Sequence, residues 1–144
     1  MPKFCAASAG AAYRLTGAMA RAPVVLVVIA AALLAPSVAH GAYRDFQSPS
    51  GRIGCAFYSD AETPRQVRCD WDGGGDRAIT LNEAGKGKRI RISDTVRNPK
   101  AKVLAYGKST SFGRLRCTSR RSGMTCRSRS GHGFTVSVER QRVF

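Results

Sequence analysis

The chain has few of the side chains that enzymes use for proton transfer. Its 144 residues include two histidines and nine acidic residues. His40 lies at a predicted cleavage point, and His132 is flanked by two glycines, a pattern that favours a tight turn. No serine lies in a nucleophile-elbow pattern. We therefore predict that the protein is not an enzyme and assign no catalytic residue. A hydrolase would have to use His132, with only Glu83 or Glu139 as a second acid or base.

The sequence also lacks the ligand spacing of common metal sites. Zinc sites usually bring two ligands two to four residues apart. Here thirteen residues separate Cys55 from Cys69, and eight separate Cys117 from Cys126. Three aspartates around a triple glycine resemble the start of a calcium loop, but Leu81 stands where the closing glutamate would fall. We predict no metal and no cofactor. The three aspartates are Asp70, Asp72 and Asp76.

A membrane-spanning run is missing as well. The apolar run over residues 24–35 has twelve residues, short of the roughly 20 that a bilayer requires. It follows Arg21 and precedes three small residues before His40, which is typical of a cleaved secretory signal. We predict a signal peptide over residues 1–39, with Met19 as an alternative true start, and one domain over residues 40–144. The mature protein is predicted to be secreted or periplasmic, without a transmembrane span.

The four cysteines of the mature domain are predicted to form disulfides. Export places thiols where oxidation is the default, and a start at Met19 would remove Cys5 and leave an even count. Four cysteines allow three pairings. We favour Cys55 with Cys69 and Cys117 with Cys126, because each pair brackets turn residues. Closing loops of 15 and 10 residues contributes roughly 2.5 to 3 kcal/mol each on the chain-entropy model.

The apolar residues recur with a period of two, which is typical of half-buried strands. Frequent turn formers separate these runs, including the glycines at 73–75 and at 131 and 133. No stretch shows helical periodicity. The pattern predicts an all-β domain, a small antiparallel barrel or sandwich of short strands held by two disulfides. The alternating groups are Ile53, Cys55 and Phe57; Val67, Cys69 and Trp71; Ile79 and Leu81; Ile90 and Ile92; Leu115 and Cys117; Met124 and Cys126; Phe134, Val136 and Val138.

Seven short motifs follow one another over about 90 residues. They are Phe46 with SPSGRIGC (48–55), VRCD (67–70), SDT (93–95), LAYG (104–107), RLRC (114–117), GMTC (123–126) and GHGF (131–134). In this order they resemble a family of small secreted bacterial proteins known only as a domain of unknown function. The resemblance implies the fold, export and disulfides, and it transfers no catalytic or binding residue.

The sequence departs from that family pattern at two cysteines. Such relatives typically carry one cysteine after the RCD motif and another shortly before the GDT-like motif. Here the first segment is shortened to a triple glycine, and the second holds Arg91 and Ile92. Their joint absence suggests that the two cysteines form a bridge in the relatives, and it leaves the local pairing of the other four intact.

Charge is the other strong signal. Three of the 24 lysines and arginines lie before residue 40. The predicted mature domain therefore contains 21 basic residues and all nine acidic residues, which gives a net charge of about +12. Such a field favours anionic partners, although it also fits solvated strand faces. We expect arginines to alternate with buried residues on outward sheet faces, as at Arg68. The candidate anion-binding residues are Lys86, Lys88, Arg89, Arg91, Arg114, Arg116, Arg120, Arg121, Arg127 and Arg129.

The sequence therefore predicts a non-catalytic binding module for an anionic surface or macromolecule, and the predicted partner is an anionic cell-envelope polymer or a secreted protein. One alternative is a periplasmic inhibitor of a lysozyme-like enzyme, whose cleft is lined by carboxylates. Another is a small secreted hydrolase of a polyanion such as RNA. Nucleic acid is a less favoured partner, because Phe57, Trp71 and Phe134 fall on the apolar phase and cannot stack bases.

Overall fold

The computed structural model describes residues 41–144, which form eleven strands and no helix. The predicted signal peptide, Met19 and Cys5 lie outside the described residues. In chain order the strands are β1 (Ala42–Gln47), β2 (Ile53–Ser59), β3 (Gln66–Trp71), β4 (Arg77–Asn82), β5 (Lys88–Arg91), β6 (Lys102–Val103), β7 (Ser109–Phe112), β8 (Leu115–Arg120), β9 (Gly123–Ser128), β10 (Gly133–Val136) and β11 (Gln141–Val143).

The strands form two sheets that follow the chain order closely. Sheet 1 has the order β5-β4-β3-β2-β1-β6, and sheet 2 has the order β11-β10-β9-β8-β7. All pairs are antiparallel except β1 with β6, which is parallel and only two residues long. Neighbouring strands are joined mostly by short turns. Gly73 and Gly75, with φ of 75° and 60°, supply the left-handed conformations of the turn between β3 and β4.

The two sheets pack face to face around one apolar core, so the fold is an all-β sandwich. Phe57 and Leu81 of sheet 1 lie in the same buried cluster as Leu115, Met124 and Phe134 of sheet 2. The period-two pattern is the reason, because alternate side chains of a strand point to the same face. The predicted fold class is thereby confirmed.

Both predicted disulfides are present. Cys55 bridges Cys69 between β2 and β3, and Cys117 bridges Cys126 between β8 and β9. Each pair occupies directly opposite positions on neighbouring strands, and all four sulfur-bearing side chains are buried in the core. Each bridge therefore fixes the register of a central hairpin.

Three apolar positions depart from the sequence pattern. Ile90 pairs with Ala78 on the outer face of sheet 1 and is half-buried. Ile92 is half-buried beyond the end of β5, and Val138 lies beyond the end of β10. β5 is an edge strand of four residues, so it needs no continuous buried face. Among residues 41–144, no helix is long and apolar enough to cross a membrane.

Candidate anion-binding face

The outer face of sheet 2 is built from arginine and threonine. On β8, Arg116 and Arg120 are exposed while the intervening Cys117 and Ser119 are buried. The bridge between Cys117 and Cys126 sets the register with β9, and this register places Arg116 directly opposite Arg127. Their Cα atoms belong to a hydrogen-bonded pair of an antiparallel ladder, a spacing of about 5.5 Å.

Hydroxyl groups form the next row on this face. Thr118 is opposite Thr125, and Thr125 is opposite Thr135 on β10. The Oγ1 atoms of Thr125 and Thr135 are 3.2 Å apart, and Thr118 Oγ1 lies 2.8 Å from Ser109 Oγ. We call the six residues that line this shallow groove of about 260 Å³ the arginine–threonine face: Arg116, Thr118, Arg120, Thr125, Arg127 and Thr135.

A second groove continues the first around the end of the β8–β9 hairpin. It has a volume of about 390 Å³ and adds Arg114 and Arg129 to the shared pair Arg116 and Arg127. Five of the ten predicted anion-binding residues are thus brought together along one surface. Arg121 lies at the other hairpin end, where its guanidinium is 5.5 Å from the centre of the Tyr106 ring.

Phe144 is part of this surface, and the sequence analysis did not identify it. Gly133 has no side chain, and the Phe144 ring occupies the space where a Cβ atom would stand. Gly133 is opposite Arg127, so the ring lies on the same outer face. The Arg127 guanidinium is 4.7 Å from the ring centre, a cation–π contact that holds it in place. The available sequence signal was Gly133, because a glycine at the outward-facing position beside the core residue Phe134 leaves room for another side chain.

No carboxylate among residues 41–144 forms an ion pair with the side chains of these arginines. All ion pairs among residues 41–144 involve acids that precede β6, and none includes an arginine between Arg114 and Arg142. Residues 104–144 hold nine basic residues and one acid, Glu139, whereas residues 41–103 hold twelve basic and eight acidic residues. The net charge is therefore +8 for the smaller part and +4 for the larger one.

The other predicted basic residues lie elsewhere. Lys86 is in the loop before β5, and Lys88 is on the outer face of sheet 1. Arg89 donates to the carbonyl oxygen of Gln141 at 2.6 Å. Arg91 forms an ion pair with Asp76, and that hydrogen bond holds the pKa of the Asp76 carboxyl below its usual range. These four do not join the arginine–threonine face.

Arg68 is on the outer side of sheet 1, as expected, but it is buried. It is 8 % exposed beneath the segment that follows β5, and its Nε and Nη2 atoms donate to both oxygens of Asp70 at 3.0 and 3.1 Å. Burial lowers the pKa of the guanidinium, but hydrogen bonds to Asp70 and Asp94 outweigh it, so the pKa lies above its ordinary value. Arg68 therefore has a structural role.

The residues considered for catalysis and calcium are dispersed. His132 is half-buried in the β9–β10 turn, Glu139 is exposed in the β10–β11 turn, and Glu83 accepts the backbone N–H of Arg114 at 2.7 Å. No hydrogen bond links His132 to either glutamate among the described residues. Asp70 and Asp72 are paired with arginines, and no cluster of three potential metal ligands occurs in residues 41–144.

Comparison with known proteins identifies one family. Residues 61–144 match a family of unknown function, DUF6636, and this span runs from just before β3 to the end of β11. No curated protein and no solved structure matches the chain. Because the match covers more than half of the sequence, the chain belongs to the DUF6636 family of unknown function.

Proposed function

We propose that this protein is a non-catalytic module that binds an anionic polymer through the arginine–threonine face and the adjoining groove at Arg114 and Arg129. The observation that carries the proposal is the placement of Arg116 opposite Arg127, with no ion-pair partner for either among residues 41–144. Like charges at directly opposite positions destabilise a sheet. An anion between the two guanidinium groups would relieve that repulsion.

The chemistry of the face suits phosphate or sulfate groups. Guanidinium groups bind tetrahedral oxyanions through two parallel hydrogen bonds, and the threonine hydroxyls of the neighbouring row supply further donors. Phe144 keeps Arg127 in position before any ligand arrives, which reduces the entropy lost on binding.

The length of the surface favours a polymer over a small ion. Arg114 lies just before β8, and Arg120 lies at its end. The separation of six residues between these positions corresponds to roughly 20 Å of extended chain. Several anionic groups of one polymer would be contacted at once. Such binding weakens steeply with salt, because released counterions compete for the polymer.

The proposed location is the periplasm or the cell exterior. Two buried disulfides support it, since such bridges persist mainly in oxidising compartments.

The test compares two double variants that lose the same charge. Arg116→Gln with Arg127→Gln removes the opposed pair, and Lys88→Gln with Lys100→Gln removes two exposed lysines of sheet 1 and its loops. Retention on immobilised heparin and on polyphosphate is measured over a salt gradient. We expect the arginine variant to elute at clearly lower salt, with a shallower dependence of log affinity on log salt.

The lysine variant should elute close to the unmodified protein. Equal losses in both variants would show that only net charge matters and would contradict a site on sheet 2. Retention of an unmodified protein no stronger than that of another protein of equal charge would also contradict it.

A further inference from the structure

A groove lies between one edge of sheet 1 and one edge of sheet 2. We call it the edge groove; it has a volume of about 430 Å³, and Tyr43, Asp45, Lys102, Val103, Leu104 and Ser109 line it. It shares no residue with the arginine–threonine face. Arg44 connects its two walls, because its guanidinium on β1 donates to the carbonyl oxygen of Ser111 on β7.

The floor of this groove includes unpaired strand backbone. β6 covers β1 only at Phe46 and Gln47, and Gln47 accepts the N–H of Leu104 at 2.8 Å. Backbone groups of alternate residues point to the same side of an antiparallel strand. The N–H and C=O groups of Tyr43 and the N–H group of Asp45 therefore point away from β2 toward the groove, where no described strand pairs with them. The C=O group of Asp45 belongs to the parallel ladder with Lys102.

The same place exposes apolar side chains. Three large hydrophobic residues among those described are exposed, and two of them, Tyr43 at 63 % and Val103 at 53 %, line the edge groove. Exposed apolar surface beside an unpaired strand edge is a liability for a soluble chain. The same combination is what a protein uses to receive an added strand from a partner.

Charge decides which partner fits. A second copy would bring another domain of about +12 to the same edge, and this repulsion opposes association between copies. Lys102 at the groove and Lys100 before it leave the rim basic, while the carboxylate of Asp45 is held by Asn98 at 2.7 Å. An incoming segment with acidic residues is attracted, and apolar side chains at alternate positions would contact Tyr43 and Val103.

We infer that the edge groove binds an extended acidic–apolar segment of another protein, which adds as a strand to β1 through the N–H and C=O groups of Tyr43 and the N–H group of Asp45. The added strand would satisfy these three backbone groups and cover the exposed apolar pair. The inference does not depend on the proposed polyanion binding, because no residue lines both surfaces.

The test uses the oxidised protein purified as its cells produce it and a blocked hexapeptide of alternating valine and glutamate. The amide signals of Tyr43 and Asp45 are followed by NMR during titration. We expect both signals to shift saturably and their hydrogen exchange to slow at least tenfold. Val103→Asp should weaken peptide binding at least tenfold. Tyr106 is the third exposed hydrophobic residue and lies outside the groove, so Tyr106→Ser should leave peptide binding unchanged.

A hexapeptide N-methylated at alternate residues provides the backbone control. It keeps the charges and side chains but loses the donors needed for a ladder, so it should bind at least tenfold more weakly. Equal binding of both peptides would overturn the inference in favour of simple charge attraction. Protection of the Tyr43 amide in a dimer without peptide would assign the edge to a second copy and would equally overturn it, as would unshifted Tyr43 and Asp45 amides at millimolar peptide.

Discussion

Ser119 is a residue whose hydroxyl is buried without a partner. Its Oγ atom is the one buried side-chain polar atom without a hydrogen bond among residues 41–144. It lies two residues after Cys117, on the same core-facing side of β8. Burying a hydroxyl without a hydrogen bond costs free energy, on the order of 1–3 kcal/mol. The residue therefore lowers the stability of the sandwich.

We predict that Ser119→Ala raises the free energy of unfolding by about 1 kcal/mol, because it removes the unsatisfied hydroxyl and leaves almost no cavity. Urea unfolding followed by Trp71 fluorescence measures the change. Ser128→Ala is the matched control, since Ser128 is also a buried serine but its Oγ contacts Ser130 Oγ at 2.7 Å and the His132 carbonyl oxygen. The control should lose about 1 kcal/mol. A loss in both variants would contradict the prediction.

At the scale of secondary-structure elements, Asp70 connects β3 to the segment after β5. Its Oδ2 accepts the Thr95 hydroxyl at 3.0 Å and the Val96 N–H at 2.9 Å, in addition to the contacts with Arg68. These contacts place the segment over the outer face of sheet 1, where Gly54 leaves room for Arg97. They give a physical reason for the presence of the RCD and SDT motifs in one chain.

We predict that Asp70→Asn lowers the free energy of unfolding by about 1.5–3 kcal/mol, because it replaces the buried carboxylate that pairs with Arg68 and leaves Arg68 with the exposed Asp94 alone. Hydrogen exchange at the Val96 amide should accelerate as the segment loosens. Asp72→Asn is the control, because Asp72 is exposed and its pairs with Arg52 and Arg97 are worth about 0–1 kcal/mol. Similar losses in the two variants would show that the Asp70 cluster is not what holds the segment.

The central hairpins could be predicted from sequence, whereas the sheet edges could not. β2, β3, β8 and β9 carry a cysteine within an alternation of apolar residues, so pattern and pairing agree. β8 also alternates in burial, whereas β2 and β3 are buried over nearly their whole length. β6 has two residues and β11 three, and strands this short contain too few residues to show a period. The pairing of β1 with β6 joins positions more than 50 residues apart, which no local signal marks.

The candidate site was predictable only in part for a related reason. Charge identified the arginines, but the meeting of Arg116 with Arg127 depends on strand register. Arg68 and Arg116 look alike in the sequence, since both precede a core cysteine. One is covered by a distant segment and the other is open to solvent, and only the three-dimensional arrangement separates them.

At the scale of the whole molecule, the two sheets share one core, so we expect them to unfold together. Trp71 belongs to sheet 1, and the Cys117–Cys126 bridge belongs to sheet 2. The double variant Cys117→Ala, Cys126→Ala should lower the free energy of unfolding by roughly 2.5 kcal/mol on the chain-entropy model. The Trp71 fluorescence transition should shift by the full amount, together with the far-UV circular dichroism transition. A Trp71 transition that stays in place would indicate that the sheets unfold independently.

The segregation of acids on the side of sheet 1 gives the molecule a permanent electric dipole in addition to its net charge. With +8 on residues 104–144 and +4 on residues 41–103, the positive end of this dipole lies toward sheet 2. A negatively charged surface exerts a torque on such a molecule within about 8–10 Å at physiological ionic strength. The molecule is therefore oriented before contact, with sheet 2 facing the negatively charged surface.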